Sequence, residues 1–302
     1  MKAAITGGTG FIGKVLTHDL MKANHEVIIL TRNPDKYTST DRVRYVKWMS
    51  DGANPVPDLE GIDAFINLAG ESINSGRWTE ERKKRIFDSR MKATDEVLRI
   101  IRSLNKKPGV LINASAIGIY PPDLNRTYTE ESTDKGDDFL AETVKKWEQK
   151  ASGAEMDGVR TVFTRFGIIL GKDSGALPKI AMPYKMFAGG KVGSGEQWMS
   201  WIHIQDVVSA VQFCMEHDQM SGPVNLTAPH PLRMNEFGKI LGDVLNRPHW
   251  LPAPAFALKL ALGEMSILVL EGQKVMPEKL QNNGYSFHFA TLERALADIY
   301  KR

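Results

Sequence analysis

Three glycines, Gly7, Gly10 and Gly13, are spaced as G-x-x-G-x-x-G in TGGTGFIG, between an apolar run and an amphipathic one. Glycines so placed let a strand turn tightly into a helix. They let the backbone approach a pyrophosphate and aim the free N–H groups of the helix at its oxygens. Thr9, Phe11 and Ile12 share this turn and helix start and are expected to touch the same dinucleotide. The pattern also serves as a bare structural turn; its place near the start of the chain, between strand and helix, favours binding. Further on, the next apolar run ends IILTRNP. An acid at that point would accept from a ribose 2′-hydroxyl, as in NAD sites; Arg32 stands there instead, and a guanidinium pairs with a 2′-phosphate. The position favours NADP over NAD, against the plainer reading of a solvated arginine at a strand end. Trp48, after the third run, either stacks on the adenine or packs in the core. Leu68, Ala69 and Gly70, in NLAG after the fourth run, are small enough to pass beside a cofactor.

These residues need a scaffold, and the apolar patterning supplies it. Runs at 2–6, 25–30, 43–47, 63–68, 109–114 and 160–166 are rich in Val, Ile and Phe and lack strict polar alternation. Strands of that kind are covered on both faces, which means a parallel sheet. Helical spacing fills 11–23, 79–104 and 137–154. The order predicts an α/β fold with a Rossmann-type doubly wound parallel sheet. After Gly171 the texture changes to glycine, proline and aromatics. Asp206 then reads as the N-cap of a short helix, and 222–229 as a further strand and turn. From Arg233 the chain is mostly helical, with two apolar helices around Gly263, and NNGYSFHF alternates like a small exposed strand. The expected division is a dinucleotide-binding domain over 1–228 and a smaller C-terminal α+β substrate domain over 229–302, to which 171–204 contributes.

The 302 residues are 42% hydrophobic and 25% charged, with a net charge of +3. These are ordinary globular values, and so weak a charge argues against nucleic acid. The single cysteine, Cys214, forms no internal disulfide, fits a reduced cytosol and reads as a small buried hydrophobe. The seven histidines are scattered, without CxxC or HExxH, so no metal is expected. No signal-peptide pattern leads the chain and no apolar run spans a bilayer. A cytoplasmic protein with a small-molecule partner, no membrane and no nucleic acid is therefore expected.

TGGTGFIG, NLAG, NASAIGIY and RFGIILG together resemble an atypical short-chain dehydrogenase/reductase. GRWTEERKKRIFDSR, GSGEQWMSWIHIQDV and the C-terminal QKVMPEKL and GYSF are similar to one branch of it, the epimerase family proteins, which has no settled substrate. The likeness covers nearly the whole chain. It implies a nicotinamide cofactor and adds Ser115 and Phe166 to the residues expected beside it. In the superfamily a tyrosine moves the substrate proton, a lysine lowers its pKa and a serine orients the oxygen. Hydride meanwhile passes to or from the nicotinamide. The resemblance puts those roles at Phe139, Thr143 and Ala116, with Ser115 one place off. None of the seven tyrosines is followed by lysine four residues on. Phenylalanine carries no proton and alanine orients no oxygen, so the usual mechanism lacks its residues.

Ser115 and Tyr120 are the replacements nearest to hand. Without a lysine, Tyr120 keeps a pKa of about 10 and is a poor base at neutral pH. Glu71 is a further acid, and His203 lies in WIHIQD, which resembles a structural turn before a helix. Arg77, Arg90 and Arg165 fall at strand or helix ends on the carboxyl edge of the sheet and suit an anionic substrate. Trp78, Trp198 and Trp201 suit an apolar pocket over the nicotinamide. For each of these, packing or a backbone hydrogen bond is the plainer reading. Three functions follow: an NADP-dependent oxidoreductase on an unidentified small molecule, a non-catalytic NADP(H)-binding sensor or scaffold, and a nucleotide-sugar epimerase. The missing tyrosine and lysine weigh most against the third. The resemblance suggests a homodimer through the long helices around strands four and five, although the charged face at 80–90 offers no clear seam.

Overall fold

The computed structural model describes residues 1–301. Seven strands form one parallel sheet: β1 (Lys2–Thr6), β2 (Glu26–Thr31), β3 (Val43–Lys47), β4 (Ala64–Asn67), β5 (Val110–Ala116), β6 (Arg160–Phe166) and β7 (Gly222–Leu226). Their order in space is β3-β2-β1-β4-β5-β6-β7. The winding reverses between β1 and β4, and ligands of such sheets bind outside the carboxyl ends of the strands there. The longer helices are α1 (Phe11–Lys22), α2 (Glu80–Ser103), α3 (Phe139–Ala151), α4 (Leu177–Lys185), α5 (Ile204–Glu216), α6 (Met234–Leu245), α7 (Ala255–Leu262) and α8 (Leu292–Tyr300).

Successive strand residues point to opposite faces, and both faces are apolar, so the sheet makes two cores. Ala3, Ile5, Val27 and Ile29 pack with Leu16 and Leu20 of α1 and Val207 and Val211 of α5. Ala4, Ile28, Leu30 and Phe65 pack with Val97 and Ile101 of α2 and Ala151 of α3. Each such side chain, fully buried, contributes roughly 1.5–3 kcal/mol. The helices start where their caps dictate. The Thr79 side chain accepts from Arg82 N at 3.2 Å, and Asp138 accepts from Ala141 N at 2.8 Å.

A third core joins Leu170, Leu177, Ala181 and Trp201 to Phe237 and Leu241 of α6 and Leu296 of α8. The tail is stitched back onto the preceding chain at 273–276. Lys274–Val275 pairs in parallel with Thr127–Tyr128. Ser200 Oγ donates to Gln273 O at 2.7 Å and accepts from Val275 N at 2.9 Å. Thr227 Oγ1 donates to Val275 O at 3.1 Å, and Asn225 Nδ2 to Met276 O at 3.0 Å.

Two local expectations are corrected. His203, not Asp206, caps α5: its Nδ1 accepts from Gln205 N at 3.1 Å. Asp206 lies fully buried in the first turn, and its carboxylate accepts from the backbone N–H groups of His288 (2.7 Å) and Phe289 (2.9 Å). The stretch 283–289 is correspondingly irregular rather than a strand, because a distant side chain takes N–H groups that a ladder would need.

Candidate functional site

β1 ends at Thr6 and the chain turns through Gly7, held at φ +69°. A Cβ on Gly7 would sit 2.7 Å from the Leu68 carbonyl oxygen. One on Gly13 would sit 2.4 Å from the Gly7 carbonyl oxygen and 2.5 Å from Gly8 Cα. Both obstacles are backbone, so neither position admits a side chain unless the turn moves. Gly10 is exposed, donates its N–H to Gly7 O at 2.9 Å and heads α1 with no side-chain cap. The first N–H groups of α1 thus open beside bare backbone, a cradle that fits pyrophosphate oxygens. Thr9, Phe11 and Ile12 line this turn, each partly open.

The opposite wall is NLAG, and a buried polar ladder fixes it. Thr6 Oγ1 donates to Asn67 Oδ1 at 2.7 Å and accepts from Ala69 N at 3.2 Å. Asn67 Nδ2 donates to Asn113 Oδ1 at 2.7 Å and Thr94 Oγ1 at 3.2 Å. The carboxyl ends of β1 and β4 and the middle of β5 are tied to α2 in this way, and Leu68, Ala69 and Gly70 follow directly. Phe166, at the end of β6, is partly open.

Arg32 follows the last residue of β2 and is exposed. Trp48 is only 5% exposed and packs with Leu30, Leu59 and Leu104. It packs in the core on that face of the sheet.

Ser115, Tyr120 and Arg165 do come together, but around a residue the sequence reading missed. Glu148 of α3 accepts from Arg165 Nε and Nη2 at 2.8 Å each and from Ser115 Oγ at 2.5 Å. Arg165 Nη1 donates to Tyr120 Oη at 2.7 Å, and Tyr120 Oη lies 3.0 Å from both Asn225 Oδ1 and Thr129 O. Arg165 is 4% and Glu148 8% exposed. Burial disfavours the Arg165 cation, yet the bonds and charge of Glu148 outweigh it and hold the guanidinium more firmly protonated than usual. Burial likewise pushes the Tyr120 phenol up, against the pull of Arg165. Tyr120 stacks on Tyr128, ring centroids 5.1 Å apart. These contacts differ from the roles expected of the three residues: Tyr120 is buried, Ser115 Oγ donates to a carboxylate, and Arg165 is buried and paired with Glu148. Glu148 had one signal in the sequence. It is an acid on the same helical stripe as Val144 and Ala151, both buried.

Phe139 and Thr143 are held by packing and by a backbone hydrogen bond. Phe139 meets Trp78 edge-on at 5.5 Å, and Thr143 Oγ1 donates to Phe139 O at 2.7 Å. Trp78 is buried, its Nε1 donating to Ile73 O at 2.9 Å. Trp201 is fully buried and donates to His230 O at 3.1 Å, so it belongs to the third core and lines no pocket. Trp198 lies under the Arg233 guanidinium, 3.8 Å from its ring centroid. Arg77 donates to Ala261 O at 2.9 Å, capping the end of α7 instead of reaching into the cleft. Glu71 is paired with Arg82.

Arg90 remains. Its guanidinium lies against Gly70, whose added Cβ would stand 3.3 Å from Arg90 Cζ, and over the Trp147 ring at 5.1 Å. Nη1 donates to the carbonyls of Glu71 (3.1 Å) and Ile86 (2.9 Å). Burial pulls its pKa down to about 10, only partly offset by Glu71, whose carboxylate is already taken by Arg82.

A parallel sheet wound on both faces, with a glycine turn opening onto an uncapped helix at the switch point, defines a nicotinamide-dinucleotide-binding Rossmann protein. The chain belongs to the NAD dependent epimerase/dehydratase family, which matches residues 3–226. Residues 253–299 match a domain of unknown function, DUF1731. The chain is 47% identical over 299 residues to epimerase family protein YfhF of Bacillus subtilis, covering 99% of this chain and 98% of that one. It is 44% identical over 298 residues to epimerase family protein SA0724 of Staphylococcus aureus, covering 98% of each. The solved structure of human epimerase family protein SDR39U1 with NADPH matches with a TM-score of 0.88 at 31% identity, over 100% of both chains. A nucleoside-diphosphate sugar epimerase from Corynebacterium glutamicum matches at 0.79 and 30% identity, covering 99% of this chain and 58% of that one. The family expected from the motifs is the family found.

Proposed function

We propose that this protein is an NADP(H)-dependent oxidoreductase acting on a small molecule that carries an anionic group. The observation that carries the cofactor half is Arg32, exposed immediately after β2, where an NAD site would hold an acid. The human relative solved with NADPH supports the same choice. When bound, the nicotinamide supplies or accepts hydride. Arg90 provides the anion site: a desolvated cation beside Gly70 gains from a carboxylate or phosphate brought by the substrate. Neither Tyr120 nor Ser115 moves the substrate proton in this reading, because both are held in the Glu148–Arg165 network. That proton is exchanged with water at the cleft.

The second reading, a non-catalytic NADP(H) sensor, is favoured by the same buried network and by Phe139 packed on Trp78. Two measurements separate them. NADPH should bind at least about tenfold more tightly than NADH, the worth of one charged hydrogen bond, and Arg32→Ala should erase most of the difference. Equal affinities in the unsubstituted protein overturn the assignment of Arg32. Incubation with NADPH and pooled metabolites should consume the nicotinamide absorbance, less so for Arg90→Met. Tight binding with no turnover leaves the sensor.

A further inference from the structure

Large apolar side chains stand exposed on two joined segments. Met182, Met186 and Phe187 lie at the end of α4, and Trp250, Phe256 and Leu260 lie before and along α7. Trp250 Nε1 donates to Phe187 O at 2.9 Å, Leu251 N to Gly189 O at 3.0 Å and Gly193 N to Ala253 O at 2.9 Å, so the segments run side by side. α7 is AFALKLAL and buries none of its residues; Phe256 and Leu260, one turn apart, are 76% and 80% exposed. Phe187 sits at φ +59°, a strained setting for a bulky residue at a helix end that usually ends in glycine. A monomer rarely leaves so much apolar surface in one place without a use.

The charges carried by the two segments themselves have one sign, with Asp243 and Glu264 just beyond their borders. Residues 177–191 and 247–262 carry Lys179, Lys185, Lys191, Arg247 and Lys259 and no Asp or Glu, in a chain with 36 acidic residues among 302. Arg247 lies over the Phe187 ring at 4.4 Å, and Lys185, Lys191 and Lys259 are exposed. A second copy meeting this face symmetrically would set lysines against lysines. An anionic lipid surface takes them favourably, and it takes Trp and Phe at headgroup depth. We propose that this face docks peripherally on an anionic membrane. Among the described residues no helix is long and apolar enough to cross a bilayer, and surface adsorption requires none.

Co-sedimentation of the full chain with phosphatidylcholine vesicles, with and without phosphatidylglycerol, tests this. Binding is expected only with phosphatidylglycerol and should fall as salt rises. Lys185→Gln, Lys191→Gln and Lys259→Gln should each weaken it about fivefold. Trp250→Ser with Phe256→Ser should abolish it, the unfolding midpoint serving as folding control. Absence of sedimentation with the anionic vesicles, or equal sedimentation with both kinds, overturns the proposal. So does a concentration-dependent dimer lost in the Trp250→Ser/Phe256→Ser variant without any lipid binding, which assigns the face to a second copy.

Discussion

Removing the Arg165 guanidinium tests the central claim about the site, that its polar residues form a structural network. In Arg165→Met the Glu148 carboxylate, 8% exposed, loses both 2.8 Å bonds and keeps only the Ser115 hydroxyl. Breaking one side of a buried pair costs about 3–5 kcal/mol, because a charge is left in low dielectric. Glu148→Leu strands Arg165 on Tyr120 and should cost a similar amount. The double variant buries no charge; it leaves the Ser115 hydroxyl unpaired, worth about 1–3 kcal/mol. It should therefore be more stable than either single variant, with a coupling of at least about 3 kcal/mol in a double-mutant cycle. Urea unfolding at neutral pH, read by circular dichroism, measures all four proteins. Single losses below about 1 kcal/mol, or a double loss equal to the sum of the singles, would refute a desolvated, mutually dependent pair.

Further outcomes follow from the same geometry. Tyr120→Phe should cost about 1–3 kcal/mol of stability by stripping bonds from Arg165 and Asn225, yet leave any NADPH turnover near the unsubstituted rate; a collapse of turnover at full cofactor affinity would restore Tyr120 as the proton donor. Gly13→Ala should abolish dinucleotide binding, measured by NADPH fluorescence, because its Cβ would stand 2.4 Å from a carbonyl oxygen. His249 provides a pH test. Its Nε2 donates to Asn235 Oδ1 at 3.0 Å, so Nδ1 accepts from Tyr184 at 2.8 Å. Burial, aided by Lys239, lowers its pKa below the ordinary histidine value. The unfolded chain therefore takes up the proton first, and stability should fall as pH drops below about 6.5 toward the folded-state value. The melting temperature of His249→Gln should depend less on pH across that window.

What the sequence made legible depended on range. The parallel strands were readable because burial on both faces removes alternation, and each of the six expected runs overlaps an observed strand. The glycine turn was readable because a positive φ at Gly7 and a backbone contact at Gly13 leave the chain no other residue. The fates of Ser115, Tyr120 and Arg165 were not, because Glu148 decides them from another element. Asp206 shows the same limit. Local rules made it a cap, and only the fold brings the backbone at 288–289, some eighty residues on, to its carboxylate. Trp48 and Trp201 share an aromatic type that suits stacking and core packing alike, and only burial separates the two.

The stitching at 273–276 bears on how such a chain can be inherited. Ser200, Asn225 and Thr227 lie upstream of the tail, and each presents a buried polar atom that the tail alone satisfies. A recombination that exchanged the C-terminal region for an unrelated one would have to return carbonyls and an N–H to the same three points. An exchange that failed to do so would leave those buried atoms unpaired, at about 1–3 kcal/mol each.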